Sequence, residues 1–333
     1  MTMLRYSRLG DVVIRELCDV KEGESVLVVA DTGTDRGIAD AYLGAAINAG
    51  ARALLAVERE RVLTDLEIAP SLAGAIREAD VILGICAGVF SRSEACVAAR
   101  ERGARILLTD PRGMEQYLID GIVNIDNQAM ARNTEVLTGL MEAADRCEIT
   151  SANGTSLTCR LGDRPILVSD GRALDPGEMD YYPGAQVSVA AIEESIDGVI
   201  VVDGSMSTLG LVTQPFGIRI EQGRVTGFEG EGSDVKRWEK HIAEQNDPKL
   251  AQCCHISFGL NPRASVSGNI YEDERYFGCV DFGFGSQDPS FGGTIGTSNH
   301  HVDVVLMSPK LVLDGQVVLE ENRLNAKLGF VGA

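Results

Sequence analysis

Short, unbroken apolar runs separated by segments of helical spacing dominate the first part of the chain. Ser25 to Ala30 (SVLVVA), Ala51 to Val57, Val81 to Cys86 and Arg105 to Thr109 each have the length and apolar content of a buried strand. Between them, Thr34 to Gly50 and Arg92 to Arg102 repeat apolar residues at helical spacing, and Gly50 is a helix-stop signal. Strands alternating with helices predict an open, mostly parallel sheet covered on both sides. A longer helical pattern, Asn127 to Cys147, closes this region.

The pattern changes near residue 148. Strand-like segments then follow one another: Ser156 to Arg160, Val187 to Ala191, Gly198 to Asp203, Ile218 to Glu221 and Arg224 to Phe228, with Gln222-Gly223 as the turn of a hairpin. One helix interrupts, Ser233 to Gln245, with Ser233 as its expected N-cap. Glycines crowd the chain from residue 259 onward, as around a site that needs close backbone approach. The expected organisation is therefore α/β: an α/β domain over residues 1–148, and a strand-rich, mixed α/β domain over 149–333. A chain of 333 residues gives each its own core.

Charge narrows the partners. With 30 Lys+Arg against 49 Asp+Glu the net charge is −19, and no basic cluster is present to neutralise phosphates. Nucleic acid and anionic membrane surfaces are excluded as partners on this ground. No apolar run reaches the length of a membrane span, and the N-terminus shows no cleavable signal pattern. The 8 Cys are scattered without a CxxC pair, as expected of reduced thiols in a cytoplasmic protein. The loop Asp31-Thr32-Gly33-Thr34-Asp35-Arg36-Gly37 is neither GxGxxG nor a Walker A sequence and reads as a structural turn.

Candidate chemistry begins with His301-Val302-Asp303, which leads an apolar run. In a strand, residues two apart share a face, so His301 and Asp303 can reach one metal ion. An imidazole and a carboxylate make two-thirds of a 2-His-1-carboxylate triad, the usual seat of non-haem Fe(II). The remaining histidines are His241, His255 and His300. His241 lies on a charged helical segment, and His300 should point away from His301. His255 opens the stretch His255-Ile256-Ser257-Phe258-Gly259-Leu260-Asn261-Pro262-Arg263.

These segments, taken in order, carry a resemblance. Pro183-Gly184-Ala185-Gln186-Val187, Ser195-Ile196-Asp197-Gly198 with its apolar run, HISFGLNPRA from His255 to Ala264, and the Gly-Gly block before His301-X-Asp303 resemble the aminopeptidase T metallopeptidase superfamily over nearly the whole chain. The departures select a branch. The peptidases carry Glu where this chain has Gln186 and His255, and His where it has Asp281. A two-metal hydrolytic centre needs bridging carboxylates, so these changes argue against one. The pattern is most similar to the iron-dependent 2,5-dihydroxypyridine 5,6-dioxygenases, whose motifs His-Ile-X-X-Gly-Leu-X-Pro-Arg-Ala and His-X-Asp both match.

That resemblance implies Fe(II) held by His255, His301 and Asp303, a small hydroxylated aromatic substrate, O2 and a homo-oligomer. It implies pocket roles as well. Two pocket histidines of that family fall at Phe90 and Tyr181, a pocket carboxylate near Asp170 and a pocket arginine near Arg275. Tyr181 and Asp170 are then the candidate acid/base groups, and Arg275, Tyr182 and Phe90 the candidate substrate contacts. Arg275 also fits a surface position in the charged cluster Glu272-Asp273-Glu274-Arg275, and the tyrosines fit plain packing. Two other functions stay open: a metalloaminopeptidase with a rearranged site, and a non-catalytic binding protein.

Overall fold

The computed structural model describes residues 5–60, 68–86, 90–207 and 209–332. By compactness it forms two units, residues 1–125 with 169–184 and residues 126–168 with 185–333. The first unit holds a five-stranded sheet in the order β2-β1-β3-β4-β8. Its strands are β1 (Ser25–Asp31), β2 (Arg52–Glu58), β3 (Val81–Ile85), β4 (Arg105–Thr109) and β8 (Met179–Tyr181), all paired in parallel. The continuous apolar runs of β1, β3 and β4 sit at its centre and are buried almost throughout, as a sheet covered on both faces requires. Helices α1 (Arg36–Asn48), α2 (Pro70–Glu78) and α3 (Glu94–Glu101) connect them.

Two local features correct the sequence reading here and one agrees with it. The helical pattern from Asn127 to Cys147 breaks at Ala143: α4 covers Asn127–Ala143, Ala144 is extended, and β5 (Arg146–Thr150) follows. Cys147 is buried because it alternates inward on a strand, not because it lies on a helix face. In α5 (Ser233–Gln245) the N-cap is Gly232, and Ser233 is the first helical residue. The turn after β1 is structural: Asp31, itself buried, accepts from Gly33 N at 2.9 Å and Thr34 Oγ1 at 3.0 Å. A carboxylate of the chain occupies donors that a phosphate loop would present.

The second unit is built on two antiparallel sheets. One has eight strands, including β5, β6 (Ser156–Arg160), β10 (Asp197–Val202), β13 (Phe216–Glu221) and β14 (Arg224–Glu229). The other has seven and carries the His-X-Asp triplet. Its central run is β9 (Gln186–Val189), β15 (Cys253–Gly259), β16 (Val280–Gly285) and β17 (His301–Leu306).

Strand β16 shows how the two faces divide. Val280, Phe282 and Phe284 point one way and are fully buried, with Trp238 of α5 set edge-on to Phe284 at 6.2 Å. Burying one such side chain contributes about 1.5–3 kcal/mol. Asp281, Gly283 and Gly285 alternate onto the other face. Across the ladder, Gly283 lies between His255 of β15 and Asp303 of β17. A Cβ on Gly283 would run into the His255 imidazole, so the bare glycine is what lets that ring lie across the middle strand.

Gly283→Ala is expected to destabilise the protein by about 1–3 kcal/mol through overpacking, read as a lower denaturant midpoint at unchanged slope. Gly139→Ala is the control. It lies within α4 with nothing near the added Cβ and should stabilise by about 0.4–1 kcal/mol.

Candidate metal centre

Three side chains converge on the face of the sheet over Gly283. His255 Nε2 lies 3.2 Å from His301 Nε2 and 3.3 Å from Asp303 Oδ1, and His301 Nε2 lies 2.9 Å from Asp303 Oδ1. Donor atoms at right angles around an ion at about 2.1 Å stand about 3.0 Å apart, whereas a tetrahedral set stands about 3.4 Å apart. The observed spacings fall in the range of donor atoms that share one ion.

The outer ring nitrogens show which atoms are available. His301 Nδ1 lies 2.8 Å from the carbonyl oxygen of Ser286, which can only accept, so Nδ1 carries a proton and Nε2 is the atom turned to the cluster. His255 Nδ1 is hydrogen-bonded to Ser257 Oγ at 3.1 Å, which leaves its Nε2 to the cluster. Three lone-pair atoms facing one another this closely repel unless a cation sits among them, either a proton or a metal ion. Burial disfavours charge on both imidazoles. On His255 it prevails and lowers the pKa; on His301 the Asp303 carboxylate outweighs it and raises the pKa well above the imidazole range. Burial also opposes charge on Asp303, but His301 and His255 hold that carboxyl well below the usual range. The cluster can hold a metal ion.

Local structure explains how the chain reaches this arrangement. The β15–β16 ladder slips between Cys253 and His255, so Cys254 is an extra residue in a bulge. Its thiol turns toward the site, 3.6 Å from His301 Nδ1. The segment from Ser286 to His300 is tied down by Gln287, which donates to Cys254 O at 2.8 Å and accepts from Ile295 N at 3.0 Å. Glu193 adds bonds from Thr294 N at 2.6 Å and Arg164 at 2.6 Å. Phe291 of the same segment stacks on His255 at 5.4 Å, nearly parallel.

The other expected residues fall as follows. Arg275 belongs to the second unit with the triad; it is 3% exposed and ion-paired with Glu274, so it is not a surface arginine. His300 turns to Asp247 at 3.3 Å, away from the triad, as expected. Phe90, Asp170, Tyr181 and Tyr182 belong to the first unit. Phe90 is buried in its core, where a Cβ on Gly84 would strike the ring, and Tyr181 packs against the same cluster. The Tyr181 hydroxyl is 3.0 Å from Ser91 Oγ. Tyr182 is buried with its hydroxyl against that of Tyr42. Asp170 pairs with Arg172 at 2.5 Å.

Sequence reasoning passed over Cys254, Ser257, Ser286 and Gln287, and took Asp281 only as a replacement for a peptidase ligand. Asp281 had a signal: in Val280-Asp281-Phe282-Gly283-Phe284-Gly285 an acid and two glycines alternate with three large apolar residues, the mark of a strand with one face in a core and one in a site. None of the eight cysteines is in a disulfide, and all are buried. Among the described residues, no helix is long and apolar enough to cross a membrane.

Comparison with known proteins places the chain in a family. The chain is 26% identical over 195 residues to a 2,5-dihydroxypyridine 5,6-dioxygenase of Pseudomonas putida, a match that covers 54% of this chain and 54% of that relative's length. Its fold is similar to that of the 2,5-dihydroxypyridine dioxygenase from Pseudomonas putida KT2440, with a TM-score of 0.80, 21% identity and 98% of each chain covered. It is also similar to wild-type AmpT from Thermus thermophilus, with a TM-score of 0.70 and 16% identity over 97% of this chain and all of that one, which makes the fold AmpT-like. The model of the NicX family, 2,5-dihydroxypyridine 5,6-dioxygenase, matches residues 13–326, and the chain belongs to that dioxygenase family.

Proposed function

We propose that the protein is a mononuclear non-haem Fe(II) dioxygenase that opens a hydroxylated pyridine, 2,5-dihydroxypyridine-like, or a related hydroxylated aromatic ring with O2. The observation that carries this reading is the convergence of His255 Nε2, His301 Nε2 and Asp303 Oδ1 within 2.9–3.3 Å of one another. Two imidazoles and one carboxylate are the donor set of non-haem iron oxygenases. Fe(II) held there supplies open positions for a ring hydroxyl and O2 and a route for electrons between them. Both oxygen atoms end in the opened product, so no external reductant is required.

The chain's own residues do the rest. Ser286 O and Ser257 Oγ fix the ring orientations of His301 and His255. Tyr181 or Asp170 is assigned the proton transfer to or from the substrate, by resemblance to the family's pocket positions. Arg275 is assigned to a substrate carboxylate, with a guanidinium fork suited to bidentate pairing, and Tyr182 and Phe90 to the ring. The alternative, a rearranged aminopeptidase, draws on the AmpT-like fold and on a second carboxylate, Asp281, beside His255 and Asp303.

Three outcomes are expected. Anaerobic reconstitution should give one iron per chain, and His255→Ala, His301→Ala or Asp303→Asn should each abolish tight uptake, as measured by metal analysis after desalting. An O2-electrode screen of di- and trihydroxypyridines and hydroxybenzoates should find uptake that depends on iron. Two zinc, cobalt or manganese ions per chain, with amino acids released from peptides, would replace this reading by the alternative. Metal binding should also release about one proton near pH 7, because Asp303 holds a proton on His301 in the metal-free protein. Apparent affinity should therefore fall as pH falls and level off above the raised pKa of His301. Calorimetry in buffers of different ionisation heat checks this.

A further inference from the structure

We propose that Asp281 is the outer-sphere carboxylate of this metal centre, taking the Nδ1–H of His255 once the ion is bound. The inference rests on the metal reading above. Asp281 sits on the same face of β16 as Gly283, one ladder step from the row that joins His255 and Asp303, and directly opposite Ser257. Its side chain is fully buried, and neither carboxylate oxygen finds a hydrogen-bond partner among the described residues. A buried polar group without partners is costly, and a buried carboxylate more so. Something that this arrangement awaits must compensate it.

Two features show what that is. Asp281 offers an oxygen within 4.8 Å of donor atoms of both His255 and Asp303, so an ion on those residues lies close to it. A divalent ion beside two carboxylates is electrically balanced, whereas Asp303 alone leaves one positive charge in a buried site. The approach also has a direction. Asp281 Oδ2 comes nearest to His255 at Nδ1, 3.9 Å away, which is the nitrogen turned from the cluster. That rules against direct coordination and favours the pattern in which a carboxylate accepts the far N–H of a metal-bound histidine, orienting the ring and making it a better donor. Closing the gap by about 1 Å to hydrogen-bond length takes only a small side-chain rotation. Ser257 Oγ is the competing acceptor at 3.1 Å, so both residues enter the test.

Co(II) is the probe, with the full chain. Affinity is measured by competition with a chromophoric chelator, coordination by the ligand-field absorption bands, and metal-free stability by thermal unfolding. Asp281→Asn is expected to weaken Co(II) binding about 10- to 100-fold with the bands retained. Metal-free Asp281→Asn should melt no lower than the metal-free wild type, because the amide gives up no hydrogen bond that the buried carboxyl had. Ser257→Ala should weaken Co(II) binding less than Asp281→Asn does, because Asp281 takes the Nδ1–H once the ion is bound. Wild-type affinity in Asp281→Asn, or a loss carried by Ser257→Ala instead, overturns the proposal. Weaker binding with altered bands overturns it too, since Asp281 is then a direct ligand. If Asp281→Asn does not fold, Asp281→Ala gives the same readouts. Failure of the wild type itself to take up Co(II) is a different result: it removes the metal reading, and this inference with it.

Discussion

Three lone pairs aimed at one point constrain everything around them. His255 Nε2, His301 Nε2 and Asp303 Oδ1 rest 2.9–3.3 Å apart, so a proton or a metal ion must be shared among them, and the outer ring nitrogens are already engaged by Ser286 and Ser257. The protein must therefore supply enough fixed structure to hold mutually repelling groups together. It does so with a sheet whose apolar face is packed by phenylalanines and a tryptophan, and with a segment from Ser286 to His300 that is bonded back to the strand it covers. The stability of the apolar face offsets the cost of the polar one.

Part of this was legible in the residues because it is local. His301 and Asp303 share a strand face by simple alternation, and the apolar runs of β1, β3 and β4 announce a buried parallel sheet. The pairing of His255 with that triplet across 46 positions (301 − 255) followed only from the likeness of ordered motifs, since no spacing rule links separate strands. Gly283 is the physical link. One residue without a side chain allows two neighbouring strands to bring their ligands together, and nothing local in its sequence marks it apart from Gly285.

What escaped was whatever depends on register or on more than one segment. Cys254 and His255 are adjacent, so plain alternation sends them to opposite faces; the bulge brings both to the site. Asp281 was read as a replaced ligand and therefore as a loss, when its burial and its place on the ladder give it a position of its own. Strand β8 is three residues long, too short to leave a periodic trace, yet it completes the parallel sheet and carries Tyr181. The end of α4 was missed because Cys147 satisfies both a helical and a strand period.

The packing of Trp238 against Phe284 has a practical side. It is the one tryptophan in the sequence, and it rests on the reverse face of the strand that bears Gly283 and Asp281. The chain thus carries a single fluorophore one residue's thickness from its polar cluster, coupled to it through a rigid backbone. Any displacement of that strand on loading or unloading the site is written into the emission of one indole, with no other indole to blur the signal.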